Sequence, residues 1–395
     1  MPFSARQGFF FQGGVTPPPA NAIAWYEYDR ANYEPISNAF TGGTLSYSVL
    51  TDSKFVGNAN RYRAAVAHPN GNIYLPPRSS ASGMIEFDPS TGTSTYLTYG
   101  ALGSLTSTTG NYFHSGVLTE SGNILCIPFK YDAFVQVDPV AGTATAFGTI
   151  DAALVGVSDV RFTGAVLAPN GNVICIPQNA NCFLDVDPVT ETITRKTYGL
   201  ANMGNTQKFF GGARSFKDDC IYCAPLRYTS VVRIDTVNDV ASTDTYGVGS
   251  IGGTNSYYGA SSDKFGNIVL LGGESSKNDF IIDPDANTAF TFNFPTTTYG
   301  GIQGADGNVY TADKNSVPYK IDISGGNTSP TSDTIFASGG PNQMAGCTAT
   351  NGNTYIFTDV SSTTEAILEI SSSADTGISN FANVVLTPYM NPGRI

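Results

Sequence analysis

Acid–base chemistry near neutral pH starts with histidine, and this chain has two in 395 residues, His68 and His114. His68 precedes a Pro-Asn-Gly turn, where the expectation is a solvent-facing ring. His114 opens the apolar stretch "FHSGVL" (Phe113–Leu118). Six cysteines could supply metal ligands or disulfides. Cys220 and Cys223 form a C-x-x-C, but no second pair or adjacent histidine completes a zinc set. Asp283, Asp285 and Asn287 alternate like the first half of a calcium loop. The glycine at position 6 and the glutamate at position 12 are missing, so turn capping accounts for them and no metal or other cofactor is expected. Nucleophile elbows, phosphate loops and H-E-x-x-H pairs are absent from the sequence.

The elements that must position these residues repeat. "HPNGNIYLPP" (His68–Pro77), "TESGNILCIP" (Thr119–Pro128) and "APNGNVICIP" (Ala168–Pro177) share one phrase. Aligned on the turn position, Gly71, Gly122, Gly171, Asp219, Gly266, Gly307 and Gly352 lie 41 to 51 residues apart. An apolar run ending in an acid follows each, at Asp88, Asp138, Asp187, Asp235, Asp283, Asp322 and Glu369. Units of this length with short strands predict β-propeller blades. The third unit reads as four strands: Thr163–Ala168, Val173–Pro177, Cys182–Asp187, and a last one beginning at Ile193. Asn-Gly favours a hairpin in which both central residues take positive φ, and Asp-Pro followed by Thr or Gly suits a type I turn with an Asx bond.

Within the second strand, Val173 and Cys175 face one way and Ile174 and Ile176 the other. Both sets are apolar, as in a strand covered on two faces. Cys126, Cys175 and Cys223 share one place there, with Leu75 in the first unit, and read as core. The first strand carries small pairs: Ala64-Ala65, Ser115-Gly116, Gly164-Ala165, Gly212-Ala213, Gly259-Ala260, Gly300-Gly301 and Ala345-Gly346. Inner strands converge on an axis, where bulk would collide. The predicted fold is all-β: a seven-bladed β-propeller of four-stranded blades with an extended N-terminal arm. Its parts are residues 1–20 as the arm, 21–61 as a strand pair closing the ring, 62–371 as seven repeats, and 372–395 as a closing segment. "AIAWYEYDR" (Ala22–Arg30) and the "ANYEPIS" after it are the strands expected to pair with the last blade.

This arrangement gives His114 a ring of counterparts at the start of each inner strand: Arg63, Thr163, Gly211, Tyr258, Tyr299 and Met344. Residues just after the second strand join them: Arg78, Phe129, Gln178, Lys314 and Asp359. The candidate channel-mouth pocket is therefore Arg63, His114, Thr163, Tyr258, Tyr299, Arg78, Gln178, Lys314 and Asp359. It lacks an ordered pair of carboxylates of the kind general acid–base catalysis uses. A rim lined by whatever fits is the expectation, and no catalytic residue is assigned.

Only 13% of residues are charged, the net charge is −12, and the 20 Lys and Arg residues are scattered. Such a surface disfavours nucleic acid and anionic membranes. The chain has no run of 18 apolar residues and so no membrane span. The opening "MPFSARQGFFFQGG" is too short in apolar length for a secretion signal. Phe3, Phe9, Phe10 and Phe11, with Arg6 and the stiff Pro17, Pro18 and Pro19, fit no blade. They read as an arm that docks on another subunit.

"MPFSARQGFF" resembles the opening of small structural proteins of tailed bacteriophages. The unit "L-A-P-N-G-N-[IV]-x-x-[IV]-P … [VF]-D-P-x-T" is similar to uncharacterised propeller repeats of phages, giant viruses and algae. That resemblance covers residues 62–371 and carries no catalytic residues. It implies a virion component; with no secretion signal read in the opening, the expectation is a non-enzymatic virion protein made in a host cytoplasm and present in several copies. The arm would hold other virion proteins of capsid or tail, and the propeller would serve as decoration, spacer or adhesin for a host-surface glycan or protein. The alternative is a hydrolase or lyase of the sugar-lactone-hydrolase type, working at the central channel.

Overall fold

A computed structural model describes residues 45–50, 62–79, 83–105, 110–157, 159–200, 203, 207–247, 251, 256–272, 279–292, 300–304, 308–312, 318–322, 331–334, 344–358 and 367–372. These residues form a β-propeller of four-stranded antiparallel blades. Six sheets are each made of four consecutive strands. In blade 3 the strands are Phe162–Leu167, Val173–Pro177, Phe183–Asp187 and Thr192–Lys196, called a to d from the axis outward. A further four-stranded sheet is composite. Its strands a to c, Met344–Thr348, Thr354–Thr358 and Ile367–Ser372, take their outer partner from the other end of the chain, Leu45–Leu50. Inner strands touch one another in sequence order, and Met344–Thr348 returns to Val66–Ala67, so the ring is closed. The closing strand thus lies nearer the repeats than expected. Ala22–Arg30, the segment after it, the arm residues 1–20 and residues 373–395 lie outside the described residues.

Strand b is buried in blades 1 to 5, and in blade 3 its alternation divides two cores as the sequence implied. Val173 and Cys175 join one apolar cluster with blade 2, and Ile174 and Ile176 join the next with blade 4. Cys126, Cys175 and Cys223 are fully covered. Cys220 and Cys223 belong to different clusters, which breaks the C-x-x-C pair. The small pairs on strand a permit close approach of adjacent blades. A Cβ on Gly346 would come within 2.2 Å of Ile302 Cδ1 and 2.7 Å of the Tyr355 carbonyl.

Antiparallel order sends the a–b and c–d turns to one end of the disc, the turn end. The starts of strand a and the b–c loops lie at the other, the mouth end. The a–b turn is not the two-residue hairpin that Asn-Gly suggested. Gly171 N donates to Ala168 O at 3.1 Å and Ala168 N to Asn172 O at 2.8 Å, a three-residue loop. Only one position needs the left-handed region, Gly171 with φ +85°, filled in blade 4 by Asp219 at +58°. Asn170 is released to bond instead, its Oδ1 accepting from Asn172 N at 3.1 Å. Asn172 then reaches strand c, donating to Asp185 at 2.8 Å. The same bond joins Asn72 to Glu86 and Asn353 to Glu369. Glu369 is therefore the partner of the turn asparagine and corresponds to Glu86. It is not the seventh member of the turn-capping acid row.

Where the c–d turn is among the described residues, the rest of that row is a set of Asx caps, Asp88 included. Asp138, Asp187 and Asp235 each accept from two backbone N–H groups of the c–d turn. Asp283 does likewise and also receives Lys217 Nζ at 2.6 Å, so an ammonium from blade 4 sits where a calcium loop would hold its ion.

His68 is the clearest correction at this end. It is 4% exposed, wedged between blades 1 and 2. Its Nδ1 accepts from Asn70 N at 3.1 Å and its Nε2 donates to Gly122 O of the next blade at 2.8 Å. The turn folds back over the ring, so a residue beside Pro-Asn-Gly becomes an interblade staple. Ser215 does the same job in blade 4, donating to Gly266 O at 2.6 Å.

Candidate functional site

The mouth end is built by the backbone. Phe129 N donates to Tyr112 O, Arg161 N to Phe129 O, Gln178 N to Arg161 O, and Lys208 N to Gln178 O. The chain continues with Leu226 N to Lys208 O and Ser256 N to Leu226 O, every bond 2.7 or 2.8 Å long. These bonds alternate within and between blades, so they run around the ring from blade 2 to blade 5. They fix where strand a starts without specifying any side chain.

Just inside this relay, strand a bulges. Register slips between Phe113 and Ser115, Phe162 and Gly164, Phe209 and Gly212, and Tyr257 and Ala260. A bulge re-aims one side chain per blade. His114, Thr163 and Tyr258 of the expected ring stand there. The extra residue of blade 4 is in its a–b turn, which runs from Ser215 to Cys220 where blade 3 runs from Ala168 to Asn172. Counting back from the turn therefore lands on Gly211, whereas Gly212 pairs with Cys223 as Ala165 pairs with Cys175, and Phe210 takes the place of Thr163. The small pair of blade 4 is thus Gly211-Gly212, one place before the expected Gly212-Ala213, and the longer turn "SFKDDC" is the sequence signal for that shift.

The described ring residues pack on one another. His114 Nδ1 donates to Thr163 O at 3.1 Å, and Thr163 Oγ1 donates to Phe209 O at 3.1 Å. The His114 ring lies 4.9 Å from Phe129 and meets Phe210 edge-on at 5.2 Å. Phe210 meets Tyr258 edge-on at 5.1 Å. Arg78 sits over the other partner of His114, its guanidinium 5.5 Å from the Phe129 ring. His114 of blade 2 thus touches Phe210 of blade 4 across the small Thr163. His114, Thr163, Phe129 and Phe210 are each under one-tenth exposed. Arg63 and Gln178 are buried as well, while Arg78 and Tyr258 are half-buried. Tyr299, Lys314 and Asp359 lie outside the described residues.

Two cations the sequence did not single out occupy the relay itself. Arg161 donates to the Tyr131 carbonyl at 2.8 Å and pairs with Asp132. Lys208 is 2% exposed, and burial pushes its ammonium down to about 8. Arg161 and Lys208 stand between blades, under the b–c loops, whereas the bulge row faces inward.

No family model and no curated protein sequence matches this chain. Solved structures do match in fold. Virginiamycin B lyase from Staphylococcus aureus superposes with a TM-score of 0.61 at 11% identity, covering 83% of this chain and 99% of the lyase. The extracellular domain of a one-component system from Bacteroides thetaiotaomicron gives 0.59 at 12%, over 82% of this chain and 39% of that one. The WD40 repeats of RRP9 give 0.57 at 9%, over 82% and 97%. At these identities the likeness is one of fold. Among the described residues no helix is long and apolar enough to cross a membrane.

Proposed function

We propose that this chain is a non-enzymatic interaction module: a rigid propeller, its composite sheet read as the seventh blade, carried on virions of a tailed phage. Its N-terminal arm would attach it to capsid or tail proteins in several copies, leaving the disc as spacer, decoration or adhesin for a host-surface glycan or protein. The observation that carries the non-enzymatic part is the state of His114. Its Nδ1 proton is spent on a backbone carbonyl, and its ring is held between Phe129 and Phe210. The described members of its own row, Arg63, Thr163, Phe210 and Tyr258, bring no carboxylate to poise it. The virion part rests on the "MPFSARQGFF" opening and the repeat wording.

Peptide mass spectrometry of purified particles tests the reading. The chain should be present at fixed stoichiometry, and deleting Met1–Pro19 should remove it while leaving a cooperatively melting β protein. A truncated chain that still assembles at full occupancy would move the attachment surface onto the propeller.

A second reading is favoured by the fold likeness to virginiamycin B lyase: chemistry at the mouth. Incubating the purified chain with quinupristin, the compound with which a catalytically inactive form of that lyase was crystallised, separates the two. Turnover abolished by His114→Ala would establish the second reading, and an unchanged substrate supports the first.

A further inference from the structure

Three Asn-Gly pairs occur in the sequence, Asn70-Gly71, Asn170-Gly171 and Asn351-Gly352, and all three form the same a–b turn. Glycine after asparagine leaves the backbone nitrogen unshielded, so it can attack the side-chain amide carbon. The three turns hold that nitrogen alike: Gly71 N, Gly171 N and Gly352 N donate at 3.0 to 3.1 Å to the carbonyl three residues earlier. They also hold the amide oxygen alike, through the backbone N–H two residues on. The amide nitrogen differs. Asn70 Nδ2 donates to Tyr74 Oη at 2.7 Å and Asn351 Nδ2 to Tyr355 Oη at 2.9 Å. The equivalent strand-b residue beside Asn170 is Ile174, which has no hydroxyl.

We propose that Asn170 is a self-modification site, where the Gly171 backbone nitrogen displaces ammonia from the side-chain amide. The bond from Gly171 N to Cγ forms, the Cγ–Nδ2 bond breaks, and the Gly171 proton leaves with the ammonia. Water then opens the five-membered imide, giving aspartate or an isoaspartate whose backbone is one atom longer. The two other asparagines resist because their leaving nitrogen is tethered to a tyrosine. The product matters to the ring. A Cβ on Gly171 would meet the Glu120 carboxylate of blade 2 at 2.9 Å, so the lengthened backbone of the isoaspartate enters Gly171 at an interblade contact.

The surroundings supply an internal control, because Pro-Asn-Gly-Asn is the local sequence at both Asn70 and Asn170. The folded chain is aged in mildly alkaline buffer, and peptide mapping scores the one-unit mass gain at each site. Asn170 should convert first, by roughly two- to tenfold over Asn70 and Asn351, the worth of one net hydrogen bond. In the urea-unfolded chain Asn70 and Asn170 should convert at equal rates. Tyr74→Phe should bring Asn70 up to the rate of Asn170 and leave Asn351 unchanged. Asn70 or Asn351 converting as fast as Asn170 in the folded wild type would overturn the proposal, whether or not the variant folds. So would a folded Tyr74→Phe chain in which Asn70 is not accelerated.

Discussion

The two ends of the disc are held together by different parts of the chain. At the turn end, side chains make the bonds: asparagine to strand-c carboxylate, aspartate to turn N–H, His68 and Ser215 to the next blade. At the mouth end, backbone N–H and C=O groups of successive blades bond directly. A bond made by a side chain constrains residue type, so the turn end repeats in sequence. A bond made by the backbone does not, so His, Thr, Phe and Tyr can share one row. Sequence repetition marks where side chains hold the ring, and its loss marks where the ring leaves side chains free to diversify.

Blade 4 shows how firm the turn-end rule is. There the turn supplies the carboxylate, Asp218, which accepts from Tyr222 Oη and from Arg233 Nε on strand c, both at 2.8 Å. Blade 1 places asparagine in the turn and Glu86 on strand c, with Tyr74 between them. The charge moves to the other strand and the polar bridge is kept.

Substitutions can break the contrast, and the largest effect belongs to Gly171→Val. A branched Cβ would enter both a left-handed backbone and the Glu120 carboxylate. The expected loss is about 2–4 kcal/mol in denaturant unfolding; an unaltered midpoint would show that the turn does not hold the blades. Next is His68→Ala, which removes a buried ring and the bonds it makes to the Gly122 carbonyl and the Asn70 N–H, and should lower stability by about 1–3 kcal/mol. The mouth-end counterpart, Thr163→Val, removes one bond to Phe209 O and should cost about 0.5–1.5 kcal/mol, the lesser of the two. A mouth-end loss larger than the His68 loss would reverse the comparison. Moving blade 1 chemistry into blade 4 sharpens it further. Asp218→Asn and Arg233→Glu should each destabilise alone, and the pair should recover about 1 kcal/mol of coupling in a double-mutant cycle.

Much of this was legible. The burial of strand b, its two apolar sets and the small pairs of strand a, apart from the one-place shift in blade 4, follow from alternation and volume alone. His68 was misread because polarity near a turn predicts exposure only when nothing lies beyond the turn, and here the next blade does. The turn's single positive φ was missed because Asn-Gly also fits the shorter hairpin. Glu369 slipped two places because an acid at the end of an apolar run looks the same whether it caps a turn or meets an asparagine. Phe210 was passed over because the a–b turn of blade 4 is one residue longer, so an alignment made on the turn displaces its strand a by one place.

The smallest predicted effect concerns pH and has opposite signs within the turn end. Burial raises the Asp263 carboxyl to about 6, against hydrogen bonds from Asn267 and Phe265. Folded Asp263 therefore keeps its proton where the unfolded chain has lost it, and its contribution to stability falls as pH rises from about 4 to 6 and is level above. Asp187 is held below the ordinary carboxylate range, first by the Thr190 hydroxyl and then by backbone N–H groups. Its contribution is present above that range and is lost as pH falls through the folded value. Urea midpoints against pH for Asp263→Asn and Asp187→Asn should change slope in opposite directions; slopes changing in the same direction would show that one of the two environments is wrongly assigned.

The central claim is that the described mouth is packing and not chemistry, and the imidazole nitrogens of His114 test it most directly. In ¹⁵N-labelled protein, the predicted result is a proton resident on Nδ1, bonded to the Thr163 carbonyl, and a ring slow to flip between Phe129 and Phe210. An Nδ1 bare of its proton and exchanging freely with solvent, in a chain that also turns over quinupristin, would contradict it.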